Sequence, residues 1–282
     1  MIEHLTLDNG PHRHSAIAAG PADGELVLLL HGWPEFADCW TEHVRALAAA
    51  GYRAVAVDQR GYAVGARPPE ITDYTVPLLV ADALSFADTL GAARFHLIAH
   101  DWGGLIAWAL ASAHPERLRS LSVLATPHPV ALQQQQETDP DQHSRLDYVR
   151  FFQLPDGQAE ASLLAEDAAR LRAAYEGKVA ADLVARNVRR LSEPGALTAT
   201  LNWYRAVDEK LTIPAGRIRT PTLYLWGSAD RALGRGAALR TGEFVDAPYR
   251  LEILAGASHW LPEECANQTI PLLLNHLAAH PS

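Results

Sequence analysis

The sequence predicts an α/β fold: a mostly parallel central sheet, helices on both faces, and a block of helices inserted into it. Three observations carry this reading. Short apolar runs alternate with helical patterns through the first half of the chain, the rhythm of parallel strands buried on both faces. One such run, Phe95 to Ala99, ends at His100-Asp101 and gives way at once to a second apolar run, Gly103 to Ala113. That is strand, one sharp turn, helix. Finally, from about 130 to 212 no strand candidate occurs, only helical patterns.

The elements follow in order. Residues 2–7 alternate, Asn9-Gly10 offers a hairpin turn, and 12–19 return as a second strand. The run 25–30 is continuously apolar, as a strand covered on both faces should be, and ends at His31-Gly32-Trp33-Pro34-Glu35. A helix over 38–50 stops at Gly51, and 52–57 make the next buried strand. The loop Asp58-Gln59-Arg60-Gly61-Tyr62 follows, then a helix over 76–90 that stops at Gly91. After a strand at 118–124 come helical patterns at 158–175, 179–191 and 196–208. Strands resume at 222–226 and 250–254, and a helix over 263–279 closes the chain. The expected division is a core of residues 1–129 and 213–282 with a helical lid, 130–212, inserted in it.

A chain of 282 residues with 48% hydrophobic content can bury a substantial core. Its formal net charge of -9 argues against nucleic acid or an anionic membrane surface as a partner. Two cysteines, Cys39 and Cys265, stand in no metal or redox spacing, which fits a reducing cytoplasm. Neither a signal-like N-terminus nor an apolar run of membrane-spanning length is present. A homodimer is left open by composition.

The chemistry centres on Asp101. Ala99 and Gly103 flank it two positions either side, and small residues are needed where strand and helix backbones come so close. An Asp before a helix also serves as a cap. As a nucleophile, however, its carboxylate suits attack on a saturated carbon. The ester so formed has a carbonyl that water can attack, whereas a serine ether would be a dead end. Asp230 and His259 each follow a predicted strand as well. The order nucleophile, acid, histidine is one in which His259 can activate water while Asp230 holds its other ring nitrogen.

Six pieces of the chain, in order and spanning nearly its whole length, carry a resemblance: HGWPE (31–35), DQRGY (58–62), HDWGG (100–104), LNWYRA (201–206), WGSAD (226–230) and GASHWLPEE (256–264). The sequence resembles the epoxide hydrolase branch of the α/β-hydrolase fold superfamily. The resemblance implies Asp101 as nucleophile, Asp230 as acid and His259 as base. It implies the backbone N–H groups of Trp33 and Trp102 as an oxyanion hole, and Tyr204 of the lid as donor to the epoxide oxygen. It further implies a cis bond before Pro34, a covalent alkyl ester, a vicinal diol as product, and no metal or organic cofactor. Glu35 stands open between a supporting role and a plain surface position.

One departure stands out. Epoxide hydrolases commonly place two lid tyrosines on the epoxide oxygen, and the expected second position aligns with Phe151, which has no hydroxyl. Tyr148, three residues earlier, shares a face with it if the segment is helical and is the candidate replacement. Tyr148, Phe151 and Trp203 are therefore the expected substrate-binding residues, in a water-poor aromatic pocket for a small hydrophobic epoxide-like substrate. Two other functions use the same residues. A haloalkane or haloacid dehalogenase would employ Asp101 with the Trp102 indole holding halide. A non-catalytic binding protein on the same scaffold is the third. Trp40, Trp108 and Trp226 read as core, and Arg186, Arg189 and Arg190 as a solvated face of a lid helix.

Overall fold

The computed structural model describes residues 1–281. Eight strands form one sheet: β1 (Glu3–Asn9), β2 (His12–Ala19), β3 (Leu26–Leu30), β4 (Arg53–Val57), β5 (Phe95–His100), β6 (Leu118–Leu124), β7 (Thr222–Gly227) and β8 (Tyr249–Leu254). Their spatial order is β1-β2-β4-β3-β5-β6-β7-β8. The hairpin β1–β2 and its junction with β4 are antiparallel, and every other pairing is parallel. Each of the eight expected strands is present, with ends shifted by a residue or two.

The helices are α1 (Thr41–Ala49), α2 (Val76–Thr89), α3 (Trp102–Ala113), then six between β6 and β7: α4 (Pro129–Thr138), α5 (Pro140–Arg145), α6 (Asp147–Phe152), α7 (Gln158–Ala174), α8 (Ala181–Leu191) and α9 (Ala196–Arg205). They are followed by α10 (Arg235–Arg240), α11 (Leu261–Glu264) and α12 (Ala266–Ala278). α10 and α4 were not marked by any apolar stripe in the sequence. The expected helix over 158–175 is broken: Glu166, Asp167 and Ala168 take left-handed backbone angles, so α7 is two helical pieces joined at a kink.

Strand alternation sorts the core into two faces. Leu28, Leu30, Val55, Val57 and Leu97 pack with Leu79, Phe86, Ile106 and Trp108 of α2 and α3. Val27, Leu29, Ala54, Ala56 and Ile98 pack with Val44, Leu47, Leu273 and Leu277 of α1 and α12. The first core runs on without a break into Leu146, Val149, Leu201 and Trp203 of the inserted helices. Those helices thus share one apolar core with the sheet's α2–α3 face. α3 is buried on nearly every side, and its apolar composition all round reflects this.

Polar contacts fix the inserted helices further. Arg190 is not part of a solvated face, as the charge pattern had suggested. Its guanidinium bonds to Asp58 at 2.5 Å, lies 3.5 Å from Asp38, and stacks over the Phe36 ring at 3.6 Å. Arg186 and Arg189 are exposed, as expected. Asp58 also accepts from Ser15 Oγ and the Ala37 N–H, so one carboxylate joins three parts of the chain. Trp203 Nε1 donates to the Arg60 carbonyl, and Arg60 makes a buried two-pronged pair with Asp82 at 2.7 Å on both prongs. Removing one member of such a pair strands the other charge in a water-poor setting. Asp82→Ala is therefore expected to lower stability by about 3–5 kcal/mol, read as a shift in urea-denaturation midpoint.

Candidate active site

The site is built on the junction of β5 and α3. Asp101 sits in the turn between them with φ 50° and ψ -122°, a backbone conformation that costs energy for a residue with a side chain. The turn is held by close backbone approach. Gly103 N–H donates to the His31 carbonyl at 3.1 Å, and a Cβ on Gly103 would strike the Leu30 and His31 carbonyls. A Cβ on Gly32 would strike the Asp101 side chain itself. The Asp101 carbonyl is satisfied by Leu105 N–H and Thr126 Oγ1. Trp33–Pro34 is a cis peptide.

Three side chains meet at the carboxyl ends of β5, β7 and β8. His259 Nδ1 donates to Asp230 Oδ2 at 2.9 Å, and His259 Nε2 faces Asp101 Oδ2 at 3.4 Å. Asp230 Oδ1 accepts from the N–H groups of Ala232 and Leu233, which fixes the carboxylate. Asp101 Oδ1 accepts from Trp33 N–H at 2.7 Å, and the Trp102 N–H also acts on this carboxyl. Burial alone would raise the Asp101 pKa, but His259 and these donors hold it below the usual carboxylate range. Burial would likewise lower the His259 pKa, yet the carboxylates of Asp230 and Asp101 lift it well above the usual imidazole range. The carboxyl groups on either side thus favour the charged form of His259.

Asp101 and His259 open onto a cavity of about 150 Å³ between the sheet and the inserted helices. Trp33, Phe152, Tyr204 and Trp260 give it aromatic walls; Tyr148, Ala174, Glu176 and Ala232 complete them. Tyr148 and Phe152 lie four residues apart on one face of α6, with rings 5.4 Å apart. Phe151 is turned away from the cavity and lies under the Arg170 guanidinium at 5.0 Å. Trp203 is not in the lining either; it packs edge-on against Trp102 and Tyr62. These are corrections to the expected substrate contacts, and the reason is rotation: one residue along a helix turns a side chain by about 100°. Trp102 is buried and is not part of the lining; its ring packs edge-on against Tyr204 with centroids 5.0 Å apart. Burial, then Asp101, raises the Tyr148 pKa, and contact with Tyr204 works against this; Tyr204 is raised by burial, Tyr148 and Asp101. A larger surface hollow of about 720 Å³, bounded by Pro155, Glu160, Asn202 and Arg205, contains none of the three meeting residues.

Comparison with known proteins places the chain in a family. The family model described as alpha/beta hydrolase fold matches residues 25–265. The AB hydrolase superfamily protein YfhM of Bacillus subtilis is 36% identical across 95% of both chains. Epoxide hydrolase A of Mycobacterium tuberculosis is 32% identical over 98% of this chain and 97% of its own. The crystal structure of Epoxide Hydrolase A from Mycobacterium thermoresistibile superposes with a TM-score of 0.88 at 28% identity, covering 100% of this chain and 99% of that one. The chain belongs to the epoxide hydrolases of the α/β-hydrolase fold.

Beneath this epoxide hydrolase site lies an acid pair that sequence reasoning left half-seen. Glu35 is fully buried, not a surface residue, and its Oε2 lies 3.0 Å from His100 Nδ1. His100 Nε2 lies 2.9 Å from the His259 carbonyl, which can only accept. Burial lowers the His100 pKa to about 4, so the ring is neutral and its single proton sits on Nε2. Nδ1 then accepts, and the protonated form of Glu35 is the one that can donate to it. Burial does raise Glu35 to about 7, and Glu263 beside it is raised well above the usual range by burial and by Glu35. No spacing in the sequence linked 35 to 263. With Cys39 these carboxyls form the one group of metal-ligand atoms among the described residues, all within 4.8 Å. Its thiol, raised by burial and the nearby carboxylates, stays protonated and is a poor metal donor.

An acid raised in the folded state binds its proton more tightly there than when unfolded. Stability should therefore fall as pH rises from the ordinary carboxyl range to about 7. Glu263→Gln removes one of the two raised acids and is expected to flatten that fall by on the order of 1–3 kcal/mol, measured as urea midpoints at about pH 5 and about pH 8. Gly32→Ala should leave the fold in place but displace Asp101 and cut turnover by about 100-fold or more, checked by circular dichroism and steady-state kinetics.

Proposed function

We propose that the protein hydrolyses a compact epoxide to a vicinal diol through an ester on Asp101, with residues 130–212 acting as a lid that supplies the proton donors. The observation that carries this reading is the meeting of Tyr148 and Tyr204 with Asp101 on one cavity, in a chain of the epoxide hydrolase family. Tyr148 takes the place of the tyrosine missing at Phe151.

Charge balance drives the two steps. Asp101 attacks a ring carbon, the C–O bond breaks, and a tyrosine protonates the departing oxygen. Esterification removes the Asp101 charge. Both tyrosines then become stronger acids, and His259 loses one of the two carboxylates that keep it protonated. The tyrosine left deprotonated takes the proton of the His259 imidazolium; the neutral imidazole then takes a proton from water, Asp230 steadies the charge that forms on it, and hydroxide adds to the ester carbonyl. The N–H groups of Trp33 and Trp102, which hold the resting carboxylate, are in place to hold the tetrahedral oxyanion. Regeneration of Asp101 releases the diol. The two free, buried cysteines support a reducing compartment, the cytoplasm, as the site of action.

His259→Gln incubated with styrene oxide should gain the mass of one epoxide, on the peptide containing Asp101. Asp101→Ala should gain nothing, and loss of bromide from a bromoalkane with no reaction at styrene oxide would replace this reading by dehalogenation. Tyr204→Phe and Tyr148→Phe should each slow diol formation by roughly 10–100-fold, and the double variant by more. Single-turnover rates of adduct formation check this.

A further inference from the structure

Among the residues lining the cavity, Glu176 is the one ionisable side chain that the proposed reaction does not use. It follows the C-terminus of α7, and its carboxylate is 18% exposed. Arg231, on the loop after Asp230, lies 3.2 Å away but is 79% exposed, so water screens much of its charge. The other charges acting on Glu176 are His259, Asp230 and Lys178. On the cavity wall itself the carboxyls are those of Asp101 and Glu176, against one basic side chain, His259; burial raises the Glu176 pKa, and a cation seated beside it favours its charged form.

The remaining walls point the same way. Trp33, Tyr148, Phe152, Tyr204 and Trp260 present aromatic surface on several sides. Rings enclosing a small space attract a quaternary or protonated amine through their electron-rich faces, and a carboxylate at the rim adds Coulomb attraction. An anionic substituent would meet the same faces and the carboxyls of Asp101 and Glu176 and be repelled.

We propose that this cavity selects epoxides bearing a cationic ammonium group a few bonds from the ring, with Glu176 and the aromatic walls as the cation's seat. The proposal rests on the epoxide reading above and refines its substrate class. Glu176 is a specificity residue here, and Arg231 its partial counterweight, competing with substrate for the carboxylate.

The test compares two epoxides of matched shape, glycidyltrimethylammonium and neopentyloxirane, which differ by a charged nitrogen in place of carbon. The quantity read is the ratio of their kcat/KM values, which cancels damage common to both. Glu176→Gln should lower the cation-to-neutral ratio about tenfold, and Arg231→Ala should raise it. Equal losses on both epoxides in Glu176→Gln would mean a structural pairing with Arg231 and overturn the proposal, as would an unchanged ratio. If the wild type turns over neither epoxide, the epoxide reading fails separately. Binding of unreactive neopentyltrimethylammonium, followed by quenching of tryptophan fluorescence, then still decides. Weaker binding in Glu176→Gln supports a cation seat, and equal or absent binding overturns it.

Discussion

The close approach of the β3 loop to the β5–α3 turn is the constraint on which the rest of the site depends. Gly32 and Gly103 let backbone carbonyls and the Asp101 side chain occupy space that any Cβ would take. That packing holds Asp101 at φ 50° and aims its carboxylate at Trp33 N–H on one side and His259 on the other. Relaxing the turn would swing the carboxylate away from both. Strain is stored at one residue and sustained by the buried strands on either side, whose residues are among the least exposed in the chain.

Electrostatics follows from that placement. His259 lies between the carboxyls of Asp101 and Asp230; they favour its charged form, and it favours the charged form of Asp101. The arrangement is stable at rest and becomes unbalanced once one carboxylate is esterified, so the first chemical step itself prepares the base for the second. Beneath it, burial favours the uncharged forms of both His100 and Glu35, which limits further charge in a site that already holds several. They instead tie the His259 backbone to the β3 loop through a chain of hydrogen bonds.

The inserted helices contribute through anchoring as much as through their tyrosines. Arg190 on Asp58, Trp203 on the Arg60 carbonyl and the Tyr175 hydroxyl on the Pro34 carbonyl pin three of the inserted segments to loops at the sheet's carboxyl edge. Arg145 and Gln142 of α5 reach the backbone beside Asp230. These contacts set the rotation of α6 and α9, and that rotation presents Tyr148, Phe152 and Tyr204 to Asp101 while turning Phe151 out.

Much was legible in the residues alone. Continuous apolar runs gave the buried strands because a strand covered on both faces has no reason to alternate, and the small residues around Asp101 marked the tight turn. Asp101, Asp230 and His259 could be picked out because each had to fall just past such a run, where a parallel sheet gathers its functional groups. Other features depended on through-space proximity that no local pattern encodes. Glu176 had only a helix end beside it, Glu35 and Glu263 are 228 positions apart, and Arg190 looked like any surface arginine until Asp58 and Phe36 lay beneath it. By itself the sequence determined strand order in the chain, the turn and the identity of the reacting groups, because these follow from short-range sterics and burial. Only the tertiary structure decided which side chains face the cavity and which carboxyls hold protons, because rotation about a helix axis and the distance between charges are set by packing across the whole fold.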